Sequence, residues 1–106
     1  MKQLLYEKQA EVARAIGHPI RMAILDFLRQ GPQCVCDIAA AVGAERSNVS
    51  RHLSLMVAGG VLASEKQGLK VIYSLRTPCV LRFVDCLGEC LREKAVHEQS
   101  LLALLS

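Results

Sequence analysis

A chain of 106 residues that is 52% hydrophobic and 22% charged has the composition of one ordered domain, 1–106, and not that of a disordered protein. Its net charge of +3 permits a nucleic-acid partner without demanding one. Only 4% of the residues are aromatic, so Leu, Ile, Val and Ala must fill the core, and a helical chain this small can finish burying apolar surface by dimerising.

No stretch approaches the roughly 20 apolar residues of a membrane span. Met1 to Arg14 alternates charged and apolar residues, unlike a signal peptide. The expectation is a soluble, cytoplasmic chain with no membrane partner. Five cysteines is an odd number, so at least one cannot pair internally. In a cytosolic protein such thiols read as core residues, metal ligands or redox groups before disulfides.

Leu4, Leu5, Lys8, Val12, Ala13 and Ile16 lie near helical spacing and predict a first helix over about 3–16, ended by Gly17. His18-Pro19 opens a second helix, with proline where its missing N–H costs nothing. Ile20, Ala23, Ile24, Phe27 and Leu28 form its apolar face, and Gly31-Pro32 stops it. A third helix is expected from about Cys34 to Val42, with Val35, Ile38, Ala39 and Val42 inward, then a turn at Gly43. The fourth, from about Glu45 to Ala58, has Ser47 at or near its cap and Val49, Leu53, Leu55 and Met56 toward the core. After Gly59-Gly60, strands over 61–66 and 69–75 flank a tight hairpin at Gln67-Gly68. Pro78 opens the last helix, striped by Val80, Phe83, Val84, Leu87 and Leu91 and more weakly by Leu101, Leu102, Leu104 and Leu105. Nothing remains in the chain to cover that stripe, so the same helix of a second copy is its expected partner. The fold class is mainly α with a β-hairpin: a winged helix-turn-helix of five helices and a two-stranded wing, dimeric.

A DNA-reading helix needs short polar or basic side chains at its N-terminal end, where it meets base edges in the major groove. Ser47, Asn48, Ser50, Arg51 and His52 supply them, while Val49 and Leu53 hold the helix down. Arg51 suits guanine or phosphate. In the wing, Lys66, Gln67 and Lys70 can reach phosphate. A merely solvated helix face would look similar in isolation; the turn before it and the wing after it favour double-stranded operator DNA.

Ala15-Ile-Gly-His-Pro-Ile-Arg-Met-Ala-Ile-Leu25 resembles the opening motif of the ArsR/SmtB family of bacterial repressors. Ser47-Asn-Val-Ser-Arg-His-Leu53 resembles their recognition helix, and Gly59-Gly-Val-Leu62 with the wing completes a likeness covering about 10–90. The resemblance implies a homodimer that binds operator DNA when free and releases it when an inducer binds, with no permanent cofactor. Cys34-Val-Cys36-Asp37 resembles the box that binds arsenite, antimonite, cadmium or lead in part of the family. Thiolate is the soft ligand such ions prefer. On a regular helix, residues i and i+2 point roughly 200° apart, so the two sulfurs can share an ion only where the first turn unwinds. The arsenic-type box usually has a further Cys where Ala39 stands, and cadmium-type relatives use an N-terminal cysteine that residues 1–33 lack. A third thiolate must come from Cys79, Cys86 or Cys90, or the ion takes two thiolates and another donor.

On an ideal helix Cys79, Cys86 and Cys90 fall within about 40° of one another, and Cys86 and Cys90, one turn apart, can chelate together. Free cysteine is also a common small buried hydrophobe, and all three border the apolar stripe. The metal candidates are therefore Cys34, Cys36, Cys86 and Cys90, with As(III)/Sb(III) as inducer before Cd(II)/Pb(II). Zinc-binding relatives use Asp and His on the last helix. Asp85 and His97 exist here, but Leu87 stands where a His ligand is expected, so that site reads as absent. His18 reads as a capping or packing residue. A redox or persulfide sensor on the same fold is the alternative, though persulfide sensors of this family use a cysteine in the second helix, which has none here. A thiol reductase finds no support: there is no Cys-x-x-Cys, βαβ pattern, phosphate loop or carboxylate pair.

Overall fold

The computed structural model describes residues 2–96 and 104–105. Its elements are α1 (Lys2–Ile16), α2 (Pro19–Phe27) with a 3-10 turn (Leu28–Gln30), β1 (Gln33–Cys34), α3 (Val35–Val42), α4 (Arg46–Ala58), β2 (Leu62–Gln67), β3 (Lys70–Leu75) and α5 (Val80–Ala95). All five predicted helices and the wing are present. Among the described residues no helix is long and apolar enough to cross a membrane. Leu101, Leu102 and His97 lie outside the described residues.

The apolar spacing read from the chain builds the core. Ile24 and Leu25 of α2, Ile38 of α3, Leu53 of α4 and Leu62 of β2 are fully buried together with Met56 and Val49. These side chains clamp α2, α3 and α4 into the three-helix unit that carries the turn. Gly43 makes that turn at φ 69°, a conformation glycine adopts without the Cβ clash other residues meet, and its N–H bonds the Ala39 carbonyl. Leu55 departs from expectation: it is 48% exposed. Val49, Leu53 and Met56 follow the i, i+4, i+7 repeat that faces the core, and Leu55 is two positions from Leu53, roughly 200° around the helix.

The sheet has three strands rather than two, in the order β1-β3-β2. The extra strand is two residues long, with Gln33 opposite Tyr73 and Cys34 opposite Ile72. The wing turn is Gly68-Leu69, one residue beyond the predicted position, because Gln67 pairs with Lys70. Gly68 has φ 63°, and among the described residues none other than glycine has a positive φ. A two-residue hairpin loop with glycine only at its first central position matches the twist of its strands.

Gly59 is where α1 meets the end of α4: a Cβ there would stand 2.5 Å from that of Ala15. Gly59→Ala is therefore expected to destabilise the fold by about 1–3 kcal/mol through overpacking. That corresponds to a melting temperature lower by roughly 5–20 °C, read by circular dichroism. An unchanged melting curve would show that α1 is not seated on α4.

Candidate functional site

Helix α4 begins one residue later than the polar stretch implies. Glu45 is its N-cap, with extended backbone (φ −63°, ψ 141°), and its carbonyl accepts from the Val49 N–H at 2.9 Å. Ser47 is thus the second helical residue and does not cap. It is exposed, as are Arg46 and Arg51. Arg46, the first residue of the helix, was not singled out from sequence; its basic side chain beside the predicted set was the available signal. Arg51 Nη2 donates to Asn48 Oδ1 at 3.1 Å, which aligns the guanidinium along the helix surface. Asn48, Ser50 and His52 are half-buried rather than fully outward. In the wing, Lys66, Gln67 and Lys70 are exposed at the tip, and Leu69 between them is fully so.

His52 is held from behind. Its Nδ1 accepts from Arg21 Nε at 3.1 Å, and its ring centre lies 4.3 Å from that of His18. Burial first, then the neighbouring His18, Arg21 and Arg51, hold His52 below the ordinary imidazole range. His18 caps α2, as its place before Pro19 led one to expect: its Nδ1 accepts from the Ile20 N–H at 3.1 Å.

The two thiols of the Cys-x-Cys pair occupy different elements. Cys34 is in β1 and caps α3, with extended backbone (φ −81°, ψ 160°), and is 6% exposed. Cys36 is the second residue of α3 and is exposed. No unwinding of helix is needed at Cys34, because it never joins the helix. The two thiols differ in exposure: Cys34 is buried in the strand that pairs with β3, whereas Cys36 is exposed.

Cys79, Cys86 and Cys90 are all exposed free thiols. Cys79 caps α5, and Cys86 and Cys90 stand one turn apart on it. Among the described residues no three His, Cys, Asp or Glu side chains come together at metal-binding distances. Within one chain, then, the described Cys86 and Cys90 do not complete a three-ligand site with Cys34 and Cys36. Asp85 is engaged by Arg29, whose Nη2 and Nη1 lie 2.6 and 3.4 Å from its two carboxylate oxygens.

Residues 18–64, from the cap of α2 into β2, match the family described as bacterial regulatory protein, arsR family. The chain is 34% identical over 71 residues to the HTH-type transcriptional repressor SmtB of Mycobacterium tuberculosis, an overlap covering 67% of this chain and 53% of that protein. The match thus spans about half the length of that curated relative. The crystal structure of the AntR antimony-specific transcriptional repressor is 31% identical, with a TM-score of 0.75 over 91% of this chain and 86% of AntR. The homodimeric winged helix-turn-helix DNA-binding domain Mb0332 from Mycobacterium bovis superposes with a TM-score of 0.78 at 28% identity, covering 92% of this chain and 90% of that one. With the match over residues 18–64 and the likeness to these regulators taken together, this chain belongs to the arsR family of bacterial regulatory proteins, which are transcriptional regulators and not enzymes.

Proposed function

We propose that the chain is a homodimeric repressor that holds operator DNA with α4 and the wing, and that Cys34 and Cys36 are the thiolates through which a thiophilic ion releases it. The observation that carries this reading is the position of the pair at the β1–α3 junction. Cys34 sits opposite Ile72 on the strand that continues into the wing, and Cys36 sits on the helix that packs against α4. In this reading an ion held by both sulfurs draws the buried Cys34 thiol out toward the exposed Cys36. That loosens the two-residue ladder of Gln33 and Cys34 on β3 and shifts the start of α3. Both DNA-contacting elements are then displaced together. A coupling of about 1–3 kcal/mol would lower DNA affinity roughly 5–150-fold, enough for a switch.

Thiolates favour As(III) and Sb(III), with Cd(II) and Pb(II) as alternatives. The likeness to an antimony-specific repressor supports the metalloid choice. Two thiolates leave room for a third donor, from water or from across the dimer. The test is a titration of reduced protein with arsenite, antimonite, cadmium, lead and zinc, following thiolate absorption and DNA release together. Release without any thiolate signal would overturn the assignment.

The dimer surface is the α1–α5 face. Leu4, Leu5, Tyr6 and Val12 of α1 and Phe83 and Leu91 of α5 are exposed. A groove of about 550 Å³ between the two helices is lined by Val12, Ala13, Ile16, Val80 and Phe83. The radius of gyration, 15.4 Å, exceeds the roughly 13 Å of a compact domain of this length, which fits arms that pack on a second copy. Sedimentation is expected to give a dimer at micromolar concentration without DNA, and Phe83→Asp a monomer. A monomeric wild type would sink the dimer.

A further inference from the structure

The contacts behind the reading helix assign a role to a residue on a different element. We propose that Arg21 is a positioning residue for DNA recognition: by donating its Nε–H to Nδ1 of His52 it fixes that imidazole as an Nε2–H donor toward DNA. This rests on the repressor reading above and adds a residue to it.

The argument is one of donors and acceptors. A guanidinium has N–H donors and no acceptor, so the 3.1 Å contact between Arg21 Nε and His52 Nδ1 requires a lone pair on Nδ1. In a neutral imidazole the proton must then sit on Nε2. Protonating His52 would place an N–H on Nδ1 against the Arg21 donor, so the contact also opposes the charged form. The charged and titratable groups facing His52 are His18 and Arg21 from the α2 side and Arg51 on α4, and all three disfavour a second proton.

Arg21 is itself fixed. Its Nη1 donates to the Arg14 carbonyl at the end of α1. His18, one helical turn earlier at the cap of α2, lies against the His52 ring, and its own Nδ1 is occupied by the Ile20 N–H. α2 and its cap thus contact one imidazole of the reading helix directly, and α1 braces it through Arg21. His52 follows Arg51 directly and lies one turn beyond Asn48, the pair already linked on the DNA side of α4. A half-buried neutral side chain whose remaining N–H is on Nε2 suits a single phosphate or base acceptor and adds no charge. That is the way a backbone contact sets the register of a helix in the groove.

The experiment combines nitrogen NMR of the histidine rings with a double-mutant cycle on DNA affinity, using a duplex that the wild-type protein selects from a random pool. In the wild type His52 should be a single Nε2–H tautomer. In Arg21→Met its Nδ1 signal should move toward the tautomer-averaged position and its pKa should rise. Arg21→Met should weaken DNA binding by up to about tenfold per half-site, the worth of one hydrogen bond, a contact that a dimer makes twice. His52→Gln keeps a donor near the Nε2 position without needing Arg21, so in that background Arg21→Met should cost less than about twofold. An equal loss in both backgrounds would overturn the proposal, because Arg21 would then act on DNA or on the fold directly. A wild-type His52 protonated on Nδ1 would also overturn it. A wild type that selects no duplex while showing the Nε2–H tautomer would overturn the repressor reading, and the DNA role of Arg21 with it.

Discussion

Arg51→Ala is expected to weaken operator binding by roughly 30- to 10⁴-fold while leaving the fold and the inducer affinity intact. One side chain reading a base is worth about 1–3 kcal/mol, and a dimer makes the contact twice. Arg51 is exposed, so its removal opens no cavity, and Asn48 already orients its guanidinium at 3.1 Å, which reduces the ordering cost of binding. The measurement is fluorescence anisotropy on a labelled duplex over a range of salt. If Arg51 binds guanine, the loss will depend on the base at one position. If it binds phosphate, the loss will be sequence-independent and the salt slope will fall by about 1 per contact. Wild-type affinity in the variant would show that this face of α4 does not read DNA.

Cys36→Ser is expected to keep DNA binding and to lose release by arsenite or antimonite. A hydroxyl replaces the soft sulfur ligand with a hard, protonated oxygen, and Cys36 is exposed, so the fold does not depend on it. Cys34→Ser should behave alike in function, but it places a hydroxyl where the thiol is 6% exposed, so a modest loss of stability accompanies it. Cys34→Ala, which buries no polar group, separates the two effects. All three variants should repress in the presence of inducer, removing the 5–150-fold change in DNA affinity that a coupling of about 1–3 kcal/mol provides. Cys86→Ser and Cys90→Ser should alter induction only if the last helix of a dimer supplies a further ligand. If the double variant Cys34→Ser/Cys36→Ser still releases DNA at the wild-type inducer concentration, sensing lies elsewhere, and Cys86 with Cys90 becomes the leading pair.

Much of this protein was legible in the chain because the relevant signals are local. The 3.6-residue spacing of Ile20, Ile24 and Leu28, or of Val49, Leu53 and Met56, reports which face of a helix is buried without any knowledge of what buries it. The Gly43 turn, the glycine of the wing hairpin and the cap at His18 act through neighbouring backbone, and all were readable. So was the polar run that opens α4. The family motifs lie in the same stretches.

Tertiary structure decided what depends on distant pairing. Gln33–Cys34 carries no strand pattern of its own; it is extended because Tyr73 and Ile72 of β3 offer it backbone partners. That one pairing removes Cys34 from α3, buries its sulfur and ties the thiol pair to the wing. The link between Arg21 and His52 joins residues 31 apart, and neither side chain signals the other locally. Periodicity records burial along one element. Which donor meets which acceptor across two elements is set only when the elements pack, and the proposed switch and the aim of the reading helix both rest on such contacts.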